Sequence, residues 1–136
     1  MIVGFTGTRR GMTREQRLGI TRLLEDFSPS EVHHGDCIGA DSDFHSIALF
    51  LGIPIIGHPA SGIGSQRAYN KGFTQLCEPL PPLDRNKNIV DESDILVATP
   101  KGYREERRSG TWATLRYARS SGKDVIIVYP DGSREE

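Results

Sequence analysis

The segment IVGFTGTRRGMTREQRLGITRLLEDF (residues 2–27) has the pattern of a strand, a glycine-containing turn and a helix. Its first part, Ile2 to Phe5, is short, apolar and rich in β-branched residues, as strands are. Thr13 and Gln16 have the spacing of a capping box, which marks the start of a helix. The apolar residues that follow recur at the intervals of one helical face. The segment therefore predicts a strand that leads through a turn into an amphipathic helix.

The same alternation continues along the chain. Further segments with the composition of strands lie at Ile53 to Ile56, Ile95 to Ala98 and Val125 to Tyr129, with a weaker one at Glu31 to His34. Helical segments are indicated before Gly52, from Asp84 to Ser93, and from about Thr111 to Gly122. Because crossover helices connect parallel strands, the pattern predicts a three-layer, Rossmann-like α/β fold. It has a mostly parallel sheet of about five strands, with helices on both faces.

Two segments depart from this alternation. The stretch from Pro59 to Leu83 is long and rich in glycine and proline, and we expect Gln66 to Leu76 to form a short helix within it. Its Gly62-Ile63-Gly64 is only a fragment of a nucleotide-binding glycine motif, since a preceding strand and a third glycine are missing. The polar tail after Pro130 is expected to fray.

Length and composition limit the class of protein. The 136 residues are enough for one domain, residues 1–136, and we expect the chain to form a single one. The apolar runs are far shorter than the ~20 residues that cross a bilayer. The N-terminal sequence lacks the pattern of a secretory signal, so we expect a cytoplasmic protein without a membrane partner. A formal net charge of −1 argues against broad electrostatic capture of nucleic acid.

The cysteines and histidines show no spacing typical of metal or redox motifs. Cys37 and Cys77 stand far apart, which indicates neither a disulfide framework nor a zinc motif. The four histidines also lack a convincing ligand pattern, so we expect neither a metal nor a cofactor. Cys37 lies near a predicted helix start, where its pKa would be lowered, but the sequence identifies no base to serve a nucleophile there.

Candidate binding residues follow the predicted strands. In an open parallel sheet, ligands bind beyond the carboxyl ends of the strands, at the point where the strand order reverses. After the first strand, Thr6-Gly7-Thr8-Arg9 offers hydroxyl, amide and guanidinium donors to an anion. Ser109-Gly110-Thr111 opens the last helix, whose free N–H groups and dipole favour a phosphate or carboxylate, with simple capping by Ser109 as the alternative. We predict that these two turns lie side by side and form one anion site.

A third turn follows the Glu31 to His34 strand. Gly35 and Gly39 are expected to let a ligand approach the backbone closely. Asp36 and Asp41 offer carboxylates to ribose hydroxyls. Asp41 is equally well explained as a cap near a helix start, so Asp36 is the stronger candidate.

The ordered set of these motifs resembles the SLOG superfamily of Rossmann-like domains. The set comprises Gly7-Thr8-Arg9, His34-Gly35-Asp36, Gly39-Ala40-Asp41, Arg85-Asn86, Ser93-Asp94 and Ser109-Gly110-Thr111, and it covers nearly the whole chain. The superfamily is related to the lysine-decarboxylase-like "lonely guy" phosphoribohydrolases and to DNA-processing protein A. The resemblance implies a nucleotide-derived ligand, such as a nucleoside phosphate, NAD or an ADP-ribose derivative, and a homodimer.

The two branches of the resemblance imply two alternatives. Hydrolase members cut the N-glycosidic bond of a nucleoside monophosphate with an arginine, which Arg85 matches, and a signature glutamate, whose place Thr114 takes here. Because hydrolysis through an oxocarbenium-like state needs a carboxylate near the sugar, Asp36 or Asp41 would have to replace that glutamate. The residues from Arg85 to Ile89 also resemble DNA-processing proteins, which bind single-stranded DNA. Balanced charge and few aromatic residues make that alternative weaker.

The main hypothesis from the sequence is a nucleotide-binding domain. Phosphate is assigned to Thr8, Arg9, Gly110 and Thr111, and ribose to Asp36 or Asp41. Arg85 adds a cationic contact, and the base is expected against the long middle loop. The candidate catalytic residues are Arg85, Asp36 and Asp41, and the candidate ligand-binding residues are Gly7, Thr8, Arg9, Gly35, Gly39, Asn86, Thr99, Ser109, Gly110 and Thr111.

Overall fold

Strands and helices alternate through most of the computed structural model, which describes residues 1–62 and 66–136. The elements are β1 (Ile2–Gly7), α1 (Arg14–Phe27), β2 (Glu31–His34), α2 (Ala40–Phe50), β3 (Ile55–Gly57), β4 (Gln75–Leu76), α3 (Pro82–Asp91), β5 (Ile95–Thr99), α4 (Gly110–Ser120), β6 (Asp124–Val128) and β7 (Arg134–Glu135). The predicted α/β class is confirmed.

The strands form one sheet in the order β4-β3-β2-β1-β5-β6-β7. Every neighbouring pair is parallel except β6 and β7, which are antiparallel. From β1 the chain first builds outward through β2 and β3, and then returns to the other side of β1 with β5. Gly7 pairs with Thr99, so the carboxyl ends of β1 and β5 lie side by side where the strand order reverses. Open α/β sheets bind ligands at this position.

Each face of the sheet is covered by two helices. On one face, α1 and α2 pack on the apolar side chains of the strands, and Phe44 stacks on Phe5 with 4.2 Å between ring centroids. On the other face, α3 and α4 bury Ile89, Leu96 and Leu115. Successive strand residues alternate between the two cores, as the pleat requires. The three-layer arrangement therefore follows from strands that are apolar on both faces.

The helix ends follow from local sequence. Thr13 and Gln16 form the predicted capping box, with Thr13 Oγ1 accepting from the Gln16 N–H at 3.0 Å. Gly52 has a φ of +73° just after α2, which is the predicted left-handed terminus. Helix α3 begins at Pro82, two residues before the predicted start, since proline fits the first helical turn. Within residues 1–62 and 66–136, no helix is both long and apolar enough to cross a membrane.

Two predictions about the less regular segments were wrong, and the sheet has slightly more strands than expected. Residues 66–76 form no helix; Gln66 and Tyr69 have positive φ values of 50° and 55°, which a right-handed helix does not allow. Two-residue strands at the edges, β4 and β7, raise the sheet to seven strands. The polar tail pairs with β6 instead of fraying. Part of the glycine fragment, Ile63 and Gly64, lies outside the described residues.

Candidate functional site

A cleft of about 420 Å³ opens above the carboxyl ends of β1 and β5. Five parts of the chain line it: the end of β1 with the turn after it, the turn after β2, helix α3, the loop between β5 and α4, and the start of α4. Its lining residues are Phe5, Thr6, Gly7, Thr8, Arg9, Arg10, Gly35, Cys37, Asp41, Arg85, Asn86, Ile89, Lys101, Arg108, Gly110 and Thr111. Below, "the cleft" refers to this set of residues. Its volume lies within the range of small-molecule sites.

The turn after β1 is tied to its neighbours by its own backbone. The Thr8 N–H donates to the Thr99 carbonyl at 3.1 Å, and the Thr8 carbonyl accepts from the Ala40 N–H at 2.9 Å. Gly7 is required by packing, because a Cβ there would lie 2.5 Å from both the Ala40 Cβ and the Thr99 Oγ1. The turn is therefore held rigidly between β5 and α2, with Arg9 at its exposed tip.

Helix α4 points its first turn into the same cleft. Ser109 is the N-cap, and its hydroxyl accepts from the Trp112 N–H at 3.3 Å. Gly110 and Thr111 are the first residues of the helix, and N–H groups at these positions have no intrahelical acceptor. A Cβ on Gly110 would meet nothing within 4 Å, so the space in front of it is open. The structure thus brings the two turns together, as the sequence indicated.

Arg85 extends from α3 into the cleft and is buried. Its Nη1 donates to the Gly35 carbonyl at 2.9 Å and lies 3.3 Å from the His58 carbonyl and 3.6 Å from the Cys37 Sγ. Its Nε is buried and has no hydrogen-bond partner among the described residues. Backbone carbonyls therefore fix the guanidinium without neutralising it.

Asp41 is held at the cleft by two backbone donors. Its Oδ2 accepts from the Gly35 N–H at 3.2 Å and from the Cys37 N–H at 3.1 Å. Burial raises the pKa of Asp41 to about 6, although these N–H groups and Arg85 oppose the rise. The alternative interpretation of Asp41 as a helix cap is not supported, because Gly39 is the N-cap of α2 and no side chain caps that helix.

The cleft carries an excess of positive charge. Arg9, Arg10, Arg85 and Arg108 line it, and none of them has a carboxylate oxygen within 4.0 Å in the part of the chain that the structure describes. Lys101 also lines it and pairs with Glu106 at 3.3 Å. Asp41 is the single acidic residue among the lining residues. Such a lining is electrostatically suited to an anion.

Asp36 lies outside the cleft, although the sequence made it the stronger of the two acidic candidates. It is fully buried, and its carboxylate accepts from Arg67 Nε at 3.0 Å and from Asn70 Nδ2 at 2.8 Å. It also accepts from the Asn70 N–H at 3.1 Å. These bonds fold the 66–70 segment onto the end of β2, so the carboxylate is already occupied by protein donors.

Two predicted glycines have a different role from the one expected. A Cβ at Gly35 would collide with the Arg85 guanidinium, and one at Gly39 would collide with the backbone of Arg9. The close neighbour at both positions is therefore the protein itself and not a ligand. Gly35 leaves room for Arg85, whereas Gly39, with a φ of +92°, brings the start of α2 against the β1 turn.

The remaining predicted residues support the cleft in different ways. Asn86 lines it, whereas Thr99 is buried next to Gly7 and Ser109 acts as the cap of α4. Thr114, in the place of the signature glutamate, is buried and donates to the Gly110 carbonyl at 2.9 Å. No described residue of the long middle loop lines the cleft, so the expected position of the base against that loop is not supported.

Sequence reasoning missed three cationic residues of the cleft, and the alternative of a reactive Cys37 is not supported. Lys101 and Arg108 belong to a mixed charge run that is typical of solvated loops, and only the fold brings them to the cleft. Arg10 directly follows Arg9, which the sequence already assigned to an anion site. This adjacency could have identified Arg10 as a cleft residue. Burial raises the pKa of the Cys37 thiol, and the Asp41 carboxylate adds to the rise, which is opposite to the lowering expected at a helix start.

Comparison with known proteins supports the fold. No protein-family model and no curated protein sequence matches the chain. A molybdenum cofactor binding protein from the phototrophic bacterium Rippkaea orientalis has a similar structure, with a TM-score of 0.70, 19% identity, and coverage of 94% of this chain and 76% of that chain. The X-ray structure of the structural genomics target TM1055 is also similar, with a TM-score of 0.65, 17% identity, and coverage of 93% and 73%. These similarities and the strand order together show that the chain has a Rossmann-like α/β fold.

Proposed function

We propose that this protein binds a nucleotide or nucleotide-derived ligand in the cleft, with a phosphate between the β1 turn and the start of α4. The observation that carries the proposal is the meeting of these two donor-bearing turns in a cleft lined by four arginines without carboxylate partners among the described residues. Helix N-termini favour anions, and planar guanidinium groups make forked contacts with phosphate oxygens.

The lining suggests how such a ligand is oriented. The N–H groups of Gly110 and Thr111 and the Arg9 side chain are assigned to a phosphate. Asp41 stands on the β2 side, where a carboxylate suits ribose hydroxyls. Ile89 and Phe5 close the bottom of the cleft, but at 2% and 1% exposure they offer little contact surface to a ligand. The anionic end of the ligand is therefore its main point of attachment, and it faces α4.

A small ligand also agrees with the similar Rippkaea orientalis protein, which by its name binds a cofactor. The ordered motifs of the SLOG superfamily support the same ligand class. For this chain, the charge distribution favours ligands with phosphate over uncharged nucleosides, because the arginines outnumber the single lining acid.

The proposal is tested by thermal shift and calorimetry with AMP, ADP, NAD, ADP-ribose and adenosine. Stabilisation by one of the phosphate-bearing compounds, but not by adenosine, is expected. Arg9→Ala and Gly110→Asp should each abolish it. Asp at the first turn of a helix is favourable for the helix, so Gly110→Asp keeps the fold while placing a negative charge at the anion position.

Matched controls separate the site from general charge effects. Arg22→Ala removes an exposed arginine of α1, and Gly102→Asp adds a carboxylate at another open glycine outside the lining set. Both controls should bind as the unmodified protein does. Unchanged binding in both Arg9→Ala and Gly110→Asp would remove the proposed anion site.

A second function, hydrolysis of an N-glycosidic bond, is favoured by the position of Asp41. Its buried carboxylate lies in the same cleft as Arg85, and the first turn of α4 contains no acidic residue to serve instead. In this reaction water adds across the bond between base and sugar, releasing free base and a ribose phosphate. The carboxylate would stabilise positive charge at the sugar.

Chromatography of nucleoside monophosphates and NAD after incubation with the protein tests this second function. Free base should appear with the unmodified protein and with Asp26→Asn, an exposed control, but not with Asp41→Asn. Absence of free base with the unmodified protein would leave binding as the function. Single-stranded DNA binding is less favoured, because Phe5 is the only aromatic lining residue within the described chain and is 1% exposed, which leaves no stacking surface.

A further inference from the structure

A cluster of histidine and glutamate side chains lies on the α3 side of the sheet. His33 belongs to β2, His58 follows β3, and Glu92 follows the last residue of α3. One ligand atom from each of these three residues lies within 4.8 Å of the others. The two rings are 3% exposed, whereas Glu92 is half-exposed, so the cluster is reached from the Glu92 side.

A carboxylate fixes one ring of this cluster. Glu31 Oε2 lies 2.5 Å from His33 Nε2, so the ring donates its Nε2 proton to the carboxylate. The Nδ1 of a neutral His33 is then left with a lone pair that points into the cluster. Histidines that bind metal ions in proteins almost always donate their other ring N–H to a carboxylate, a carbonyl or water in this way.

The second ring lies between the other two groups of the cluster. His58 Nε2 is 2.8 Å from His33 Nδ1, and His58 Nδ1, on the far side of the ring, is 4.0 Å from Glu92 Oε2. A single ion bound by His33 Nδ1 therefore uses His58 Nε2, the ring nitrogen that faces His33. The distance from Glu92 to the ring is too long for a hydrogen bond, so the half-exposed Glu92 side chain can turn its carboxylate towards such an ion.

We propose that His33, His58 and Glu92 bind a divalent transition-metal ion of the zinc type. Two imidazole nitrogens and one carboxylate oxygen are a ligand set that suits Zn²⁺, Co²⁺ or Ni²⁺ better than Mg²⁺ or Ca²⁺, which prefer oxygen ligands throughout. Ion binding replaces the hydrogen bond between His33 and His58, and water completes the coordination. Glu31 orients His33 as an outer partner.

Such an ion would act as a clamp between three elements. It joins β2, the segment after β3 and the end of α3. The His58 carbonyl lies 3.3 Å from Arg85 Nη1, so the clamp also steadies the segment behind this cleft residue. The site could not be predicted from the sequence, because its ligands are 25 and 34 residues apart. The parallel register of β2 and β3 brings the two histidines together, and the end of α3 adds Glu92.

The test uses full-length protein treated with a chelator and titrated with Zn²⁺ and Co²⁺ in a calorimeter. One ion per chain is expected, together with a rise in melting temperature. Glu92→Gln, an exposed substitution that preserves shape, should abolish the binding, and His58→Gln should do the same. Glu31→Gln should weaken binding by about 10–100-fold, the usual effect of removing an outer carboxylate.

Two controls and one spectrum make the result decisive. His45→Gln changes a buried histidine on the other face of the sheet, and Glu25→Gln changes an exposed glutamate of α1; both should bind normally. Bound Co²⁺ should lack the intense near-ultraviolet band of thiolate ligation. Failure to bind either ion, full binding by Glu92→Gln, loss of binding in His45→Gln, or a thiolate band would each overturn the assignment. If His58→Gln does not fold, Glu92→Gln decides the outcome.

Discussion

Two polar clusters lie next to each other at the carboxyl edge of the sheet, and they differ in whether their charged groups are paired with other protein groups. The first is the cleft. The second, called the β2 cluster here, consists of Asp36, His34, His45, Arg67 and Asn70. In the β2 cluster the groups bind one another: His34 Nε2 lies 2.9 Å from His45 Nδ1, the Asp36 N–H donates to His34 Nδ1 at 2.9 Å, and Asp36 pairs with Arg67.

In the cleft, by contrast, several groups have no protein partner among the described residues. Four arginines lack carboxylate partners, and the N–H groups that open α4 face open space. Buried polar groups in folded proteins are almost always paired. Among the cleft arginines only Arg85 is buried, and its Nε is a buried donor with no partner among the described residues. The paired β2 cluster therefore contributes to stability, whereas the unpaired, cationic cleft is the surface that favours an anionic ligand. From residue types alone, the paired β2 cluster could not have been distinguished from the cleft.

The largest expected effect is on stability, from Asp36→Ala in the β2 cluster. The substitution removes a fully buried carboxylate and three of its hydrogen bonds, and it leaves Arg67 without its ion pair. We expect the free energy of unfolding in urea to fall by about 3 kcal/mol, as for other buried pairs broken on one side. Arg9→Ala is the matched variant in the cleft and should change stability by less than about 0.5 kcal/mol. Equal effects of the two variants would erase the distinction between the clusters.

The second prediction concerns the pH dependence of Asp41. Its pKa is raised to about 6 in the folded protein, above the value of an unfolded chain, so the native state binds more protons between these values. Stability from this group is therefore present at low pH and is lost as pH rises from about 4 to about 6. Relative to Asp41→Asn, the unmodified protein should lose about 1–3 kcal/mol across that window.

Urea denaturation of both proteins at several pH values measures this difference. The comparison with Asp41→Asn isolates the cleft from the β2 cluster, where the pKa of His34 is lowered by burial and by His45. His34 has the opposite pH dependence. The stabilisation that it contributes to the fold is lost as pH falls below ~6.5, the pKa of a histidine in the unfolded chain. A parallel pH profile for the two proteins would contradict the burial of a titrating carboxyl at position 41.

The third prediction compares two glycines of the cleft. In Gly35→Ala the new methyl group collides with the Arg85 guanidinium and displaces it, whereas in Gly110→Ala it enters open space. Gly35→Ala should weaken binding of the nucleotide ligand by about 10-fold, which corresponds to 1.4 kcal/mol. Gly110→Ala should keep its stability and weaken binding less than Gly35→Ala does, since a single methyl group takes up little of the space assigned to phosphate. The reverse order, with only Gly110→Ala impaired in calorimetry, would argue against a role for Arg85.

The smallest expected effect separates two helix caps. Ser109→Ala and Thr13→Ala each remove an N-cap hydroxyl and should each cost about 1 kcal/mol of stability. Only Ser109 holds the first turn of α4 at the cleft, so only Ser109→Ala should also weaken nucleotide binding. Thermal melts with and without ligand measure both quantities. A similar loss of ligand affinity in Thr13→Ala would show that the effect acts through global stability.

The regular elements and the β1 turn could be predicted because short-range physics specifies them. The weak strand at Glu31 to His34 and the capping box at Thr13 both agree with the structure. The helix expected at residues 66–76 was wrong because Asp36, which is distant in sequence, binds Arg67 and Asn70 in an extended segment. A propensity signal cannot include such a contact.

The sequence by itself determined the α/β class, the order of the longer strands and helices, and the turns after β1 and before α4, because apolar period, capping residues and glycine positions act within a few residues. The tertiary structure alone decided which polar residues remain free. Asp36 and Asp41 are both acids that follow β2, yet one is bound by protein donors and the other lines the cleft. The physical reason is that pairing depends on which side chains from distant segments come within a few ångströms, and that is fixed only when the sheet assembles.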